Sequence, residues 1–289
     1  MRYGVSMYGG VMAYNGLSRL DDTSLRKYGY SLFRVWATWE RDYAGNTVTG
    51  YRVINNDGTL NSTNLQRLKD VIARVAAWGG VVDVTMGAKN TKNGMASISA
   101  QQTGVTNLVT GLRGVKGIWC IDVANEFPSA GYTDAQVANL LRAARAADSS
   151  RGGLTASADG TASAIVSRYK GVVAALGADW KSYLQMYTPH FNPQDANLAR
   201  NTEANVLALK NGMSGKYQGI YVQEEGYWTH PYRTDTDYYT EAIGAKRAGA
   251  VAYTFHTLAG FDLRTKTFLQ QLQPVEKTAC NLVPTKAGF

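Results

Sequence analysis

Glu126 and Glu224 are the side chains of this sequence best placed to do chemistry. Glu126 closes the run Gly117-Ile118-Trp119-Cys120-Ile121-Asp122-Val123-Ala124-Asn125-Glu126, which is apolar, β-branched and aromatic and reads as a buried strand. Pro128 follows and ends the ladder, because it has no N–H to continue pairing. Glu224 stands near the end of Gly219-Ile220-Tyr221-Val222-Gln223-Glu224-Glu225-Gly226, a run of the same character. A carboxylate at the end of a buried strand costs desolvation free energy unless it is paired or used. By period-two alternation Ile220, Val222 and Glu224 share one face, and Tyr221, Gln223 and Glu225 the other. If the Ile220/Val222 face lines a barrel interior, Glu224 points into a site and Glu225 away from it. Two carboxylates presented at two strand ends are the minimum requirement of glycoside hydrolysis.

The elements that must hold these acids alternate from end to end. Strands are expected at 3–7, 31–36, 81–86, 117–124, 153–157, 182–188, 218–224 and 250–255, with helices between them. In 64–78, Leu65, Leu68, Val71, Ile72 and Val75 form one apolar stripe. Thr63-x-x-Gln66, Ser99-x-x-Gln102 and Thr133-x-x-Gln136 read as capping boxes, and 235–247 ends in Lys246-Arg247, favourable at a helix C-terminus. Most steps between strand ends match one βα unit. Eight such units predict an α/β chain folded as a (β/α)8 (TIM) barrel, a single catalytic domain over 1–289, with a doubly wound sheet as the other arrangement the alternation allows. The one long step holds 37–62, with Trp39, Tyr43 and Tyr51, and reads as a loop rimming the site.

In such a barrel, sites assemble at the carboxyl ends of the strands. There the chain offers Arg34, Trp36, Asn125, Glu126, Tyr187, His190, Glu224 and His256, with Asp122 and Asp159 as weaker candidates. Asn125-Glu126 on the fourth strand, Glu224-x-Gly226 on the seventh and Arg34 in Phe33-Arg34-Val35-Trp36 on the second resemble the signature of the clan A retaining glycoside hydrolases. That group holds cellulases, mannanases and related β-glycosidases. The resemblance covers essentially the whole chain in strand order, and its residue motifs are short. It implies that Glu126 is the acid/base and Glu224 the nucleophile, with Asn125 holding the sugar 2-hydroxyl and Arg34 contacting the nucleophile. The clan commonly places a Trp at the end of the eighth strand, where this chain has Phe255-His256.

The chemistry fits that allocation. Glu126 must keep a proton for the leaving oxygen, which apolar walls and a neighbouring carboxylate favour, while Glu224 must stay ionised and needs a cation such as Arg34. His190 is expected to bond substrate or the acid/base, and Tyr187 to donate to the nucleophile. Trp36, Trp39, Tyr227 and Trp228 lie on or beyond strand ends, where rings stack on the C–H faces of sugars. Trp78, Trp119 and Trp180 read as packing residues, Asp122 as an internal hydrogen bonder and Asp159 as a helix cap.

Composition sets the limits. The 289 residues are 45% hydrophobic and 18% charged, ordinary for a globular chain. The net charge of +8 is spread along the helices and forms no block of the kind that binds nucleic acid, although it would suit an acidic or cell-wall glycan. No membrane span is expected, nor a disulfide between Cys120 and Cys280. Two cysteines and three scattered histidines argue against a zinc site. Met7-Tyr8-Gly9-Gly10-Val11 lacks phosphate-loop spacing, so no cofactor is expected. The first residues run straight into a strand, which reads as cytoplasmic unless a leader has been removed, in which case secreted. The expectation is a monomeric retaining β-glycosidase on an oligo- or polysaccharide, glucan or mannan first. An idle carbohydrate-binding barrel is the contrasting possibility, and an aldolase or metal-dependent hydrolase a more distant one.

Overall fold

The structure, a computed structural model, describes residues 1–14, 29–42, 46–87, 94–191, 197–216, 218–225, 234–256 and 263–288. Among them are nine strands: β1 Arg2–Tyr8, β2 Leu32–Trp36, β3 Val81–Thr85, β4 Ile118–Asp122, β5 Leu154–Thr155, β6 Ser157–Gly160, β7 Met186–Phe191, β8 Gly219–Glu225 and β9 Ala252–His256. All described pairings among these nine strands are parallel, and the spatial order is β5-β4-β3-β2-β1-β9-β8-β7-β6. β5 and β6 are two pieces of one stretch, separated only by Ala156, so the sheet returns to where it began. Tyr169 spans the break: its hydroxyl donates to the Ala156 carbonyl at 3.0 Å and accepts from the Thr188 N–H at 2.8 Å. The result is the expected eight-position barrel.

Alternation sorts each strand between two environments. Val5, Phe33, Val35, Val82, Val84, Ile121, Tyr187, Ile220, Val222, Tyr253 and Phe255 pack outward against the helices in one large core. Leu32, Cys120, Met186, Tyr221 and Ala252 form a smaller apolar layer inside the barrel. One residue pair further along the strands the interior turns polar, with Ser6, Arg34, Asp83, Asp122, Thr188, Gln223 and Thr254 all buried. The inside of the barrel is therefore a filled core whose upper layer is charged.

Helices fill the steps between strands, among them Ser62–Ala77, Ile98–Gly111, Asp134–Ala147, Ala162–Leu176, Leu198–Gly212, Asp235–Arg247 and Pro274–Ala287. Thr133 caps its helix with the expected box, but the helices Ser62–Ala77 and Ile98–Gly111 are capped by Asn61 and Ser97, two residues before the boxes read from sequence. The sixth strand is also displaced: Trp180–Tyr183 makes a helical turn, and pairing begins only at Met186. Cys120 and Cys280 are buried free thiols. Among the described residues no helix is long and apolar enough to cross a membrane.

Candidate active site

Glu126 leaves β4 through an unusual backbone. Its φ of 47° lies in the left-handed region, the only such non-glycine value among the described residues, and conformations of that kind cost about 1–3 kcal/mol. The surroundings enforce it. Glu126 N–H donates to Ser157 Oγ at 3.0 Å, Phe127 N–H to the Ser157 carbonyl at 2.9 Å, and Ala130 N–H to the Glu126 carbonyl at 2.9 Å. Ser129 adds bonds from its N–H and hydroxyl to Asp159. Asp159 therefore clamps this turn, while Thr161 caps the helix that Asp159 was expected to cap. The turn leaves the Glu126 side chain 39% exposed at the barrel mouth.

Glu224 reaches the same cavity by a different device. Tyr221 and Gln223 face the barrel interior and Ile220 and Val222 face the helices, the reverse of the expected assignment. Strict alternation would then send Glu224 outward. Between Val222 and Glu225, however, β8 carries one more residue than β9 does between Tyr253 and Phe255. This bulge reverses the count and brings Glu224 onto Arg34 Nη1. Arg34, fully buried, also donates to Asn125 Oδ1 at 2.6 Å and Thr85 Oγ1 at 2.9 Å, and lies 3.4 Å from Asp83 Oδ2 and 3.6 Å from Asp122 Oδ2. Burial disfavours its charge, but Glu224, Asp83 and Asp122 outweigh burial and hold the guanidinium protonated. Asp122 is the internal hydrogen bonder the sequence implied, accepting from the N–H groups of Ser157 (3.0 Å) and Ala124 (3.2 Å).

His190 joins the two acids. Its Nδ1 is 3.2 Å from Glu126 Oε1 and 3.7 Å from Glu224 Oε2, and its Nε2 is 3.0 Å from Gln223 Oε1. Gln223 Nε2 donates in turn to Asp83 Oδ2 at 2.8 Å. Burial pushes the imidazole pKa down, but the Glu224 carboxylate and the bond to Glu126 raise it to about 9. Burial lifts the Asp83 carboxyl to about 6 against the pull of Arg34. One oxygen or nitrogen each from Glu126, His190 and Glu224 lie within 4.8 Å of one another. These three could in principle surround a cation. Arg34 lies against Glu224, and His190 lies between the two acids, so cationic side chains of the protein itself already face both carboxylates.

The remaining expected residues divide. Asn125 is 2% exposed and bonds Arg34, with Ser157 Oγ 3.3 Å away. Trp36 lies beside the site, its ring 5.4 Å from the Arg34 guanidinium carbon, and meets Trp39 edge-on at 5.2 Å. Both are 8% exposed and packed with Met12, Val48 and Tyr51, so little of either ring meets solvent. Tyr187 requires correction: it faces the helices, meets Tyr169 in a tilted ring contact and donates its hydroxyl to the Lys216 carbonyl, because Met186, Thr188 and His190 take the inward positions of β7. His256 ends β9 opposite Ser6, but its side chain lies outside the described residues, as do Tyr43, Tyr227 and Trp228. Asp83 and Gln223 are the members that sequence reading missed. A lone acid inside Val81-Val82-Asp83-Val84-Thr85 was the available signal for the first.

No protein-family model matches the sequence, and a search of curated proteins found no match. Solved structures do match. A β-mannanase from Thermomonospora fusca superposes at TM-score 0.67 with 13% identity, covering 99% of this chain and 91% of that one. A GH5-4 broad-specificity endoglucanase from Clostridium longisporum gives 0.66 with 11% identity, over 99% and 96%. An exo-β-1,4-mannosidase from Opitutaceae bacterium strain TAV5 gives 0.62 with 13% identity over 90% of this chain, which spans 52% of that enzyme. At these identities the likeness establishes the fold, a (β/α)8 barrel.

Proposed function

We propose that this chain is a retaining glycoside hydrolase cleaving β-linked oligo- or polysaccharides, with Glu126 as acid/base and Glu224 as nucleophile. The observation that carries the reading is the approach of the two carboxylates, with one oxygen of each within 4.8 Å of the other. So close an approach favours direct attack on the anomeric carbon, for which carboxyl groups about 5–5.5 Å apart are usual, over inversion, for which they stand about 6.5–9.5 Å apart. The environments of the acids support unequal roles. Glu224 is 12% exposed and held by Arg34, as a carboxylate that must attack while ionised should be. Glu126 is more open and has His190 as its proton partner. In this reading Asn125, held by Arg34, bonds a hydroxyl of the sugar.

The reaction then runs in two displacements. Glu126 protonates the leaving oxygen while Glu224 forms a glycosyl ester, and Glu126 next takes a proton from the water that hydrolyses it. The names of the fold neighbours, a mannanase, an endoglucanase and a mannosidase, favour mannan or glucan. The charge of +8 keeps acidic glycans on the panel. An idle carbohydrate-binding barrel would turn one acid away from the other, whereas here Glu126 and Glu224 approach one another beside His190. The test is hydrolysis of aryl β-glycosides and a polysaccharide panel. Glu126→Gln should lose about 10²–10⁴-fold in kcat/KM on unactivated substrates, and azide should restore Glu224→Ala as a glycosyl azide. Undiminished activity in Glu126→Gln and Glu224→Gln would overturn the assignment.

A further inference from the structure

The hydrogen-bond chain behind His190 has a direction imposed by its buried end. The Asp83 carboxyl, at about 6, is ionised at neutral pH, and an ionised carboxylate can only accept. Gln223 must therefore present its amide nitrogen to Asp83, 2.8 Å away, which leaves its amide oxygen facing His190 Nε2 at 3.0 Å. An amide oxygen also only accepts, so the ring nitrogen opposite it must carry hydrogen. Asp83 and Gln223 are fully buried and His190 is 2% exposed, so water does not compete for these bonds.

We propose that Asp83 and Gln223 are positioning residues that keep a proton on Nε2 of His190, so that Nδ1 alone exchanges a proton with Glu126. This rests on the acid/base role given to Glu126 above. The charged groups around the ring are Glu126 and Glu224 on the Nδ1 side, Asp122 and Arg34 deeper in the barrel, and Asp83 through Gln223. The proton count closes over a turnover. The Nδ1 proton passes to Glu126 as Glu126 protonates the leaving oxygen, which leaves a Glu126 carboxylate and a neutral Nε2–H imidazole. The proton taken from water in the second displacement returns through Glu126 to Nδ1.

The tautomer can be read without substrate, from long-range proton–nitrogen spectra of the full chain labelled at its three histidines, with His190→Gln supplying the assignment. On titration to high pH, His190 should lose its Nδ1 proton and stay in the Nε2–H form. Gln223→Leu should give a mixture of tautomers. Asp83→Asn should let the amide chain reverse, so that the Nδ1–H form appears. If Gln223→Leu fails to fold, as judged by near-UV circular dichroism, Gln223→Met carries the same expectation. A wild-type ring that loses its Nε2 proton first, or tautomers unchanged in the folded variants, would overturn the proposal. Absence of glycosidase activity in the unaltered protein would instead count against the functional reading, so the two failures are distinguishable.

Discussion

Replacing Arg34 by methionine tests the electrostatic account of the barrel interior independently of any substrate. Arg34 is fully buried and faces Glu224, Asp83 and Asp122, two of which are fully buried themselves. Removing the cation leaves carboxylates uncompensated inside the protein, and breaking a buried pair in this way costs about 3–5 kcal/mol. Unfolding entropy of about 2.1 cal/mol/K per residue, taken over 289 residues, is about 0.6 kcal/mol/K, so Tm should fall by roughly 5–8 °C near neutral pH. The loss should also depend on pH. Asp83 is already raised to about 6 with Arg34 pulling it down, and without the guanidinium only the hydrogen bonds from Tyr221 and Gln223 oppose burial and Asp122. Above about pH 4 the folded variant then holds protons that the unfolded chain has released, so its stability declines as pH rises. Urea unfolding of both proteins between about pH 4 and about pH 8 should show a gap that is small in acid and widens toward neutrality. A gap constant across that range, or one under about 1 kcal/mol at the upper end, would refute the reasoning.

Three further outcomes follow from particular contacts. The His190 pKa near 9 lies above the unfolded value of about 6.5, so its contribution to stability is complete below about pH 6.5 and lost as pH rises through about 9. His190→Gln should flatten that part of the curve, worth at most about 3 kcal/mol, and an unaltered slope in urea titrations would contradict it. Tyr187→Phe removes only a hydroxyl bonded to the Lys216 carbonyl in the helical layer, costing about 0.5–1.5 kcal/mol of stability with kcat and KM essentially preserved. A large kcat/KM loss would place Tyr187 at the substrate after all. Gly153 has φ 72° and would bring a Cβ within 2.0 Å of the Trp119 carbonyl oxygen, so Gly153→Ala should destabilise the β4/β5 seam by about 3 kcal/mol or more, which a shifted urea midpoint reports.

Much of the architecture is legible because two periods dominate the chain. The β-branched runs and the apolar stripe around Leu68, Val71, Ile72 and Val75 mark strands and helices within a few residues of their observed ends. Boundaries are less secure where several polar residues compete for one task. Asn61 and Thr63 can both cap a helix, as can Ser97 and Ser99, and in each pair the earlier residue takes the N-cap. At 180–185 the same ambiguity moves the start of β7, since Trp180–Tyr183 satisfies its backbone as a helical turn before the ladder begins. Asp83 and Gln223 stayed hidden for another reason: their bond joins residues 140 positions apart, and neither sits at a strand end.

Glu224 shows most clearly how a local pattern can bring a residue to the barrel interior through an incorrect premise. Alternation assumed that Ile220 and Val222 line the interior, whereas they pack against the helices and Tyr221 and Gln223 point inward. Without a slip in register, Glu224 would follow Val222 into an apolar layer, where an ionised carboxylate without a partner is strongly disfavoured. The extra residue between Val222 and Glu225 turns it back toward the guanidinium of Arg34. Period-two counting can state which residues share a face only while the ladder is regular, and a bulge is the point where that count changes. The Arg34 guanidinium inside the barrel makes the slipped register favourable, because it pairs the carboxylate there and leaves the helical layer apolar. Gln223, one residue earlier, stays in phase with the interior and carries the chain to Asp83, so the same irregularity separates the acid from the residue that positions His190.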